Sequence, residues 1–508
     1  MSAGLLFSFV IGYFVLLLIV AWYTSRNSNN ESFFIGNRNS NWMLVAFGMI
    51  GTSLSGVTFV SVPGTVGDFS GDAFKGFGYF QVVIGYFLGY FVIAYVLLPL
   101  YYRLNLTSIY NYLQHRFGFF SYKTGSLFFI LSRTIGATAR LYLVINVLQL
   151  FILDRMGIPF TITTIIILLM ILLYTFEGGV RTIVYTDTLQ TSFMLIGLIV
   201  CVIYIMSNLN LNLGTALEVL NAKGYTDIFN TDPGSKGFFV KQIIGGAFIT
   251  IAMTGLDQEM MQKNISVKNL KDSQKNMITF STVIVFVNFL FLLLGGLLYL
   301  FMLQNGAGYE GNQLMTDGKN IIGDDLFPTV ALQYLPQAVG IIFIIGLISA
   351  LFPSADGALT ALTSSFCIDL LGLKRRGDWD EKKKRKVRLT VHFTFTIVFL
   401  VCILFFKMID NKSIIYVILD IAGYTYGPLL GLFAFGILTK RTFKDGLIVT
   451  AICLMAPLLS YFLSKNSATI LGGYQIGIEL LIINGLLTFF GLFMISKKSI
   501  DPHLSAGK

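Results

Sequence analysis

Roughly thirteen stretches of this chain stay apolar over the thickness of a bilayer, and a water-soluble fold cannot accommodate that pattern. They run at about 4–23, 42–62, 77–102, 124–153, 157–175, 182–206, 238–262, 274–304, 337–371, 388–409, 413–438, 445–464 and 474–496. A helix needs about 20 mostly apolar residues to cross the hydrocarbon core. Composition agrees: 55% of the 508 residues are hydrophobic and only 12% are charged, with a mean hydropathy of +0.75. The expected fold is an all-α polytopic membrane protein, so a soluble enzyme is set aside. The first run has no basic segment ahead of it and no small-residue cleavage site before Arg26, so it reads as a retained span. Cys201, Cys367, Cys402 and Cys453 show neither metal spacing nor a disulfide framework and read as inert core residues.

The net charge of +10 could suggest a nucleic-acid partner, but its placement points to the lipid bilayer instead. Lys374, Arg375, Arg376, Lys382 to Lys386 and Arg388 share one short loop, and Lys440, Arg441, Lys444, Lys497 and Lys498 fall in later loops on the same side. Arg26, Arg38, Arg103, Arg116, Lys123, Arg181, Lys268 and Lys271 fit that side too, whereas Asp68, Asp72, Glu310, Asp317, Asp324 and Asp325 lie on the other. Basic loops stay cytoplasmic, which puts the N-terminus outside and the C-terminus inside. The 374–388 cluster reads as a topology determinant; a lipid-headgroup or partner site is the second reading. The outer segments 207–236 and 305–336 hold Gly, Asn and Asp and suit short helices or a lid.

One span carries a weakness. Residues 51–56, Gly-Thr-Ser-Leu-Ser-Gly, interrupt the second apolar run, and Pro63-Gly64 ends it. Backbone polar groups in lipid must be satisfied internally, so a break survives only against protein, water or a ligand. Freed carbonyls and amides can then hold an ion or a solute. The seventh run carries Gly245-Gly246 and Thr254-Gly255 five spans later, which suggests an internal repeat. Glycine also serves simply to pack membrane helices.

Ionisable residues at membrane depth are costly and mark candidate sites. Asp187 either neutralises a bound cation or pairs with Arg181 at the interface. The ninth run gathers Ser349, Ser354, Asp356, Thr360, Thr363, Ser364 and Ser365 around Pro353 and Gly357. Pro353 removes a backbone hydrogen bond, and hydroxyl and carbonyl oxygens suit hard cations; alternatively the hydroxyls bond their own backbone. Arg133 and Arg140 lie two turns apart on one face of the fourth run. Arg140, at mid-span, is either a clamp on an anionic solute or half of a structural pair. Gln81, Phe77, Tyr79 and Phe80 could line a pocket, and Asp257-Gln258-Glu259 packs near cytoplasmic loops or gates them.

These residues together resemble the sodium/solute symporter family over about residues 5 to 445. Gly178-Gly179 with Tyr185-Thr186-Asp187-Thr188-Leu189-Gln190 is similar to that family's span-6 signature. The run from Gly423 to Gly436 is similar to its span-11 signature, Ser354-Ala355-Asp356 to its span-9 pattern, and Thr254 to Gln258 to the end of its span 7. The resemblance implies a leucine-transporter-type fold of two inverted five-helix repeats, 42–206 and 238–438, in a single transmembrane domain. An extra N-terminal helix at 4–23 and two C-terminal helices at 445–496 flank the repeats. It also implies import of a small polar solute by sodium symport with alternating access, in the inner membrane, with sodium as the coupling ion; the oligomeric state stays open, a monomer being one option. Carried over by position, the main sodium site is the carbonyls of Gly51, Leu54 and Leu351 and the hydroxyl of Ser354. The family's second hydroxyl is Ala355 here, so Asp356 or water would compensate. A second site in some members uses the aspartate at Asp187 with two span-9 serines; Gly357 and Ala358 stand there, which leaves that site incomplete.

The sugar-carrying members have a Glu-Gln pair where this chain has Val57-Thr58. Ser53, Ser55, Thr58, Phe77, Gln81 and a span-4 arginine are instead similar to the sialic-acid-transporting branch, with Arg140 on a solute carboxylate as a planar fork, and Phe248 is a further candidate for the solute site. Proton coupling through Asp187 or Asp356, a membrane sensor and a channel or complex subunit are the alternatives weighed against sodium symport.

Overall fold

The computed structural model describes residues 3–25, 33–34, 38–67, 74–175, 179–316, 318–321, 323–409 and 414–498. Arg26, Asp68, Asp72, Glu177, Gly178 and Asp317 lie outside the described residues, as do the side chains of Arg181 and Lys374. Among the described residues, eight helices are long and apolar enough to cross a membrane, or up to 11 if each of three bent pairs counts as one span. The straight spans used below are α1 (Ala3–Ser25), α4 (Tyr79–Arg103), α5 (Phe119–Met156) and α7 (Gly179–Asn208). The bent pairs are α2 (Trp42–Ser53) with α3 (Gly56–Thr65), α8 (Phe239–Gly255) with α9 (Gln258–Ile265), and a pair near 426 described below. Two of the thirteen apolar runs form helices of only 16 residues, α6 (Phe160–Thr175) and α14 (Leu480–Ile495). Remaining long helices are α10 (Leu270–Gln304), α11 (Gln337–Leu370), Glu381–Ile409 and Leu447–Lys465.

Each bend has a local cause. Leu54 leaves helical space at φ −85 and ψ 70, and Ser55 is extended, so the chain turns by 55° between α2 and α3. Gly51 sits flush on Thr191, and Gly56 has Val144 where a Cβ would go. Only glycine lets α2–α3 approach α7 and α5 so closely. In the second pair, α8 ends in a π turn at Ile251–Gly255, a form that concentrates at functional sites. Asp257 is then extended and caps α9, accepting from Glu259 N (2.9 Å) and Met260 N (3.3 Å). The bend there is 65°. It falls at Leu256-Asp257, not at the Gly245-Gly246 pair, whose missing side chains make room for Ile478 and Val82. In the third pair, Ile414–Thr425 (α12) meets Gly427–Leu438 (α13) at Tyr426, with Pro428 in the first turn of the new helix, and the bend is 47°.

Helices α4 and α8 pack backbone to backbone. A Cβ built on Gly85 would lie 2.8 Å from the Ala247 nitrogen and 2.9 Å from the Gly246 Cα. One built on Gly89 would lie 2.5 Å from the Ala247 carbonyl oxygen. Small residues of this kind let membrane helices touch along their main chains.

The segment expected to form short helices or a lid at 305–336 also contains strand. Gly308–Glu310, Gln313–Thr316 and Lys319–Asn320 pair as a small antiparallel sheet. A 3-10 turn, a short helix and a π turn follow. Tyr309 Oη donates to the Gly67 carbonyl (3.1 Å), tying this segment to the end of α3. The segment 207–236 contains one short helix, Leu213–Ala222, with a capping box at Asn212 and Thr215.

Candidate functional site

The break between α2 and α3 opens onto a cavity of ≈ 100 Å³. Thr52, Ser53, Leu54, Ser55, Val57 and Thr58 line one wall. Tyr79, Tyr86 and Tyr90 from α4, Arg133 and Arg140 from α5, and Thr250, Met253 and Thr254 from α8 complete much of the rest. The mix of hydroxyls with aromatic faces along its walls is what a polar, carbon-rich ligand requires.

The break leaves carbonyls free. Leu54 N–H donates to Ile50 O (2.8 Å) and Phe59 N–H to Ser55 O (3.1 Å). No backbone N–H among the described residues reaches the carbonyls of Gly51 or Leu54. On α11, Ser354 Oγ donates to Leu351 O (3.0 Å), which holds those two oxygens side by side. Ala355 is buried and brings no oxygen. The remaining polar groups of α11 divide. Ser349, Thr363 and Ser364 bond the carbonyls one turn back, Ser349 also bonds Tyr13, and Ser365 bonds Asp369. Asp356 accepts from Tyr174 Oη (2.7 Å) and from the Gly357 N–H (2.5 Å). Thr360 Oγ1 is buried and finds no hydrogen-bond partner among the described residues.

Next to the break runs a buried chain of charges. Tyr426 Oη donates to Asp257 Oδ2 (3.2 Å), whose same oxygen lies 3.8 Å from Arg133 Nε. Arg133 also pairs with Glu259, and Glu259 Oε1 lies 3.5 Å from Lys263 Nζ. Lys263 Nζ then contacts Asp187 Oδ2 (2.7 Å) and Thr52 Oγ1 (2.6 Å). Every ionic member is at most 3% exposed. This network joins all three bends: Thr52 lies in the last turn of α2, Asp257 caps α9, and Tyr426 stands between α12 and α13.

Of the expected solute residues, Ser53, Ser55, Thr58 and Arg140 line the cavity. Phe77, Gln81 and Phe248 do not. Phe77 is buried edge-on to Phe289, with centroids 6.0 Å apart. Gln81 is consumed locally, donating to Gly78 O (2.9 Å) and accepting from Asn230 N (3.4 Å). Phe248 is half-buried against the core. Arg140 is half-buried and has no ion pair or hydrogen bond among the described residues; the charges nearest it include Arg133, Glu259 and Asp257. Asp187 is paired with Lys263.

Lys263 and Tyr426, and Tyr174 beside Asp356, are the residues that the sequence reading passed over; Glu259 was read only as a gate or packing residue near the cytoplasmic loops. Glu259 and Lys263 are four residues apart on one helix face, a spacing that marks an intrahelical pair. Two such charges inside an apolar run were the available signal.

The bends, the freed carbonyls and the cavity they surround define a membrane carrier with discontinuous helices, a class that holds ions and solutes on exposed backbone at mid-membrane. The model of the sodium:solute symporter family matches residues 33–453, and the chain belongs to that family. It is therefore a multi-pass transporter, not an enzyme, and it couples solute movement to sodium. The sodium/sialic acid symporter SiaT of Proteus mirabilis is 24% identical over 473 residues, covering 89% of this chain and 88% of that one. NanT of Aliivibrio fischeri, also a sodium/sialic acid symporter, is 24% identical over 485 residues, covering 93% and 90%. A solved substrate-bound, outward-open structure of a Na+-coupled sialic acid symporter superposes with a TM-score of 0.79 at 20% identity, over 97% of this chain and 99% of the other.

Proposed function

We propose that this chain imports a sialic acid, or a solute with the same pairing of one carboxylate and several hydroxyls, together with sodium across the inner membrane. The observation that carries this reading is Arg140, a guanidinium on the cavity wall with no ionic partner among the described residues. A half-buried guanidinium without a protein counter-charge suits a planar anion, and a carboxylate matches its fork. Ser53, Ser55 and Thr58 face the same space and suit solute hydroxyls. The names of the most similar relatives point the same way.

In this reading sodium sits among the carbonyls of Gly51, Leu54 and Leu351 and the hydroxyl of Ser354. The free state of the first two carbonyls and the contact between the last two oxygens support it. Asp356 is held by Tyr174 and its own backbone, so water is the more fitting replacement for the oxygen missing at Ala355. The architecture reads as two inverted five-helix repeats, 42–206 and 238–438, within thirteen spans. The bends at 54–55 and 256–257, each in the opening helix of its half, support that symmetry. The basic loops orient the N-terminus outward and the C-terminus inward.

Uptake of labelled N-acetylneuraminic acid into proteoliposomes tests the reading. Accumulation should follow an inward sodium gradient and vanish when potassium or choline replaces sodium. Accumulation driven by a pH gradient without sodium would overturn it.

A further inference from the structure

We infer that Lys263 is a resident cation that holds, at Asp187, the position a second transported ion would otherwise take, so that this transporter carries one sodium per cycle. The inference rests on the sodium-symport reading and goes beyond it to the number of ions.

The observation is a coordination shell. The ammonium of Lys263 is surrounded by Asp187 Oδ2 at 2.7 Å, Thr52 Oγ1 at 2.6 Å and Glu259 Oε1 at 3.5 Å. These are carboxylate and hydroxyl oxygens, the donor set a hard monovalent cation selects. Lysine supplies a compact point charge of the same sign and size of charge as an alkali ion. The shell is closed to solvent, with Lys263 only 2% exposed and Asp187 fully buried. A buried carboxylate at this depth needs a counter-charge, and here the counter-charge is covalently tethered.

Neighbouring residues are shaped for the tether. A Cβ at Gly357 would lie 2.6 Å from the Glu259 Cδ, so the carboxylate that completes the shell occupies space that any side chain at 357 would fill. Gly48 is likewise tight on Asp187, its built Cβ 3.1 Å from the Asp187 Cβ. Ala358 is buried and offers no oxygen. Asp187 Oδ1 is buried with no hydrogen-bond partner among the described residues, but a mobile ion there would face the ammonium already held on Oδ2 of the same carboxylate and be repelled by it. The carbonyls of Gly51 and Leu54, on either side of Thr52 in the chain, accept no backbone N–H among the described residues.

Counting sodium on the purified full chain with 22Na+ tests this. Wild type should bind one ion per chain, with a Hill coefficient of about 1. Lys263→Ala, which vacates the shell and strands Asp187, should bind two, and Lys263→Ala with Asp187→Asn should return to one. Two ions on wild type, or one on a folded Lys263→Ala, would overturn the proposal. Should Lys263→Ala fail to fold, Lys263→Arg keeps the tethered charge and must still bind one; two ions on it would overturn the idea equally. Wild type binding no sodium would instead defeat the symport reading itself, and this inference with it.

Discussion

Replacing Arg140 by glutamine should weaken the carboxylate form of the solute and spare its neutral ester. A hydrogen bond to a charged partner contributes about 1.5–3 kcal/mol net. Since about 1.4 kcal/mol is a tenfold change, Arg140→Gln should raise Kd for N-acetylneuraminic acid roughly 10- to 150-fold. The structure argues that the change is clean. Arg140 has no carboxylate partner among the described residues, so none is stranded when its charge goes, and the nearest guanidinium, Arg133, is a like charge. Folding should therefore survive, with little change in melting temperature. The assay is calorimetric or scintillation binding of the acid and of its methyl ester, in saturating sodium, to wild type and variant. Wild type should prefer the acid by about the same 10- to 150-fold factor, because the ester lacks the charge. The variant should bind the two nearly alike. If acid and ester lose affinity together, Arg140 shapes the cavity without contacting the carboxylate, and the clamp is refuted.

Other expectations follow from the same geometry. Ser354→Ala removes a hydroxyl from the candidate sodium ligands and should raise the half-saturating sodium concentration by roughly tenfold, about 1.4 kcal/mol; Ala355→Ser adds an oxygen and should lower it. Unchanged sodium curves for both variants would displace the ion from this position. Gly357→Ala drives a methyl into the Glu259 carboxylate, and breaking a buried ion pair costs about 3–5 kcal/mol. A clear drop in melting temperature is expected, and an unchanged one would mean that Glu259 swings aside freely. Glu259→Gln should lower the melting temperature comparably, because it leaves Arg133 and Lys263 facing each other with one carboxylate fewer; no loss of stability would show that the pairing is not limiting.

The helices were legible because apolar length reports directly on the bilayer. The runs at 124–153 and 388–409 lie inside helices that extend beyond them to Phe119–Met156 and Glu381–Ile409. The second extends because Lys- and Arg-rich turns continue a helix into water without adding apolar signal. The break at 51–56 was visible because glycines and hydroxyls are poor choices for a lipid-facing span, and the turn falls at Leu54 and Ser55. The bend at Tyr426 was hidden, since Gly427-Pro428 sits in a strongly apolar run that reads as continuous. Pairing is a different matter. Asp187 and Lys263 lie 76 residues apart and Arg133 and Glu259 lie 126 apart. A linear reading prices each charge alone and cannot see which cation will cancel which anion. Phe77 and Gln81 fail for the same reason: their types suit a pocket, but α10 and the 230 loop claim them.

The backbone contact between α4 and α8 bears on how the molecule moves. Side chains can exchange rotamers and let two helices slip; main chains in contact at Gly85, Gly89 and Gly246 have no such compliance. The two helices behave as a weld between the halves of the chain, and strain generated on one side of it is delivered undamped to the other. Motion that alternately exposes the cavity must then be concentrated at joints elsewhere, at the bends near 55, 256 and 426. An inhibitor or antibody that immobilises the α4–α8 seam would leave the stroke intact, whereas one that splints a bend would arrest it.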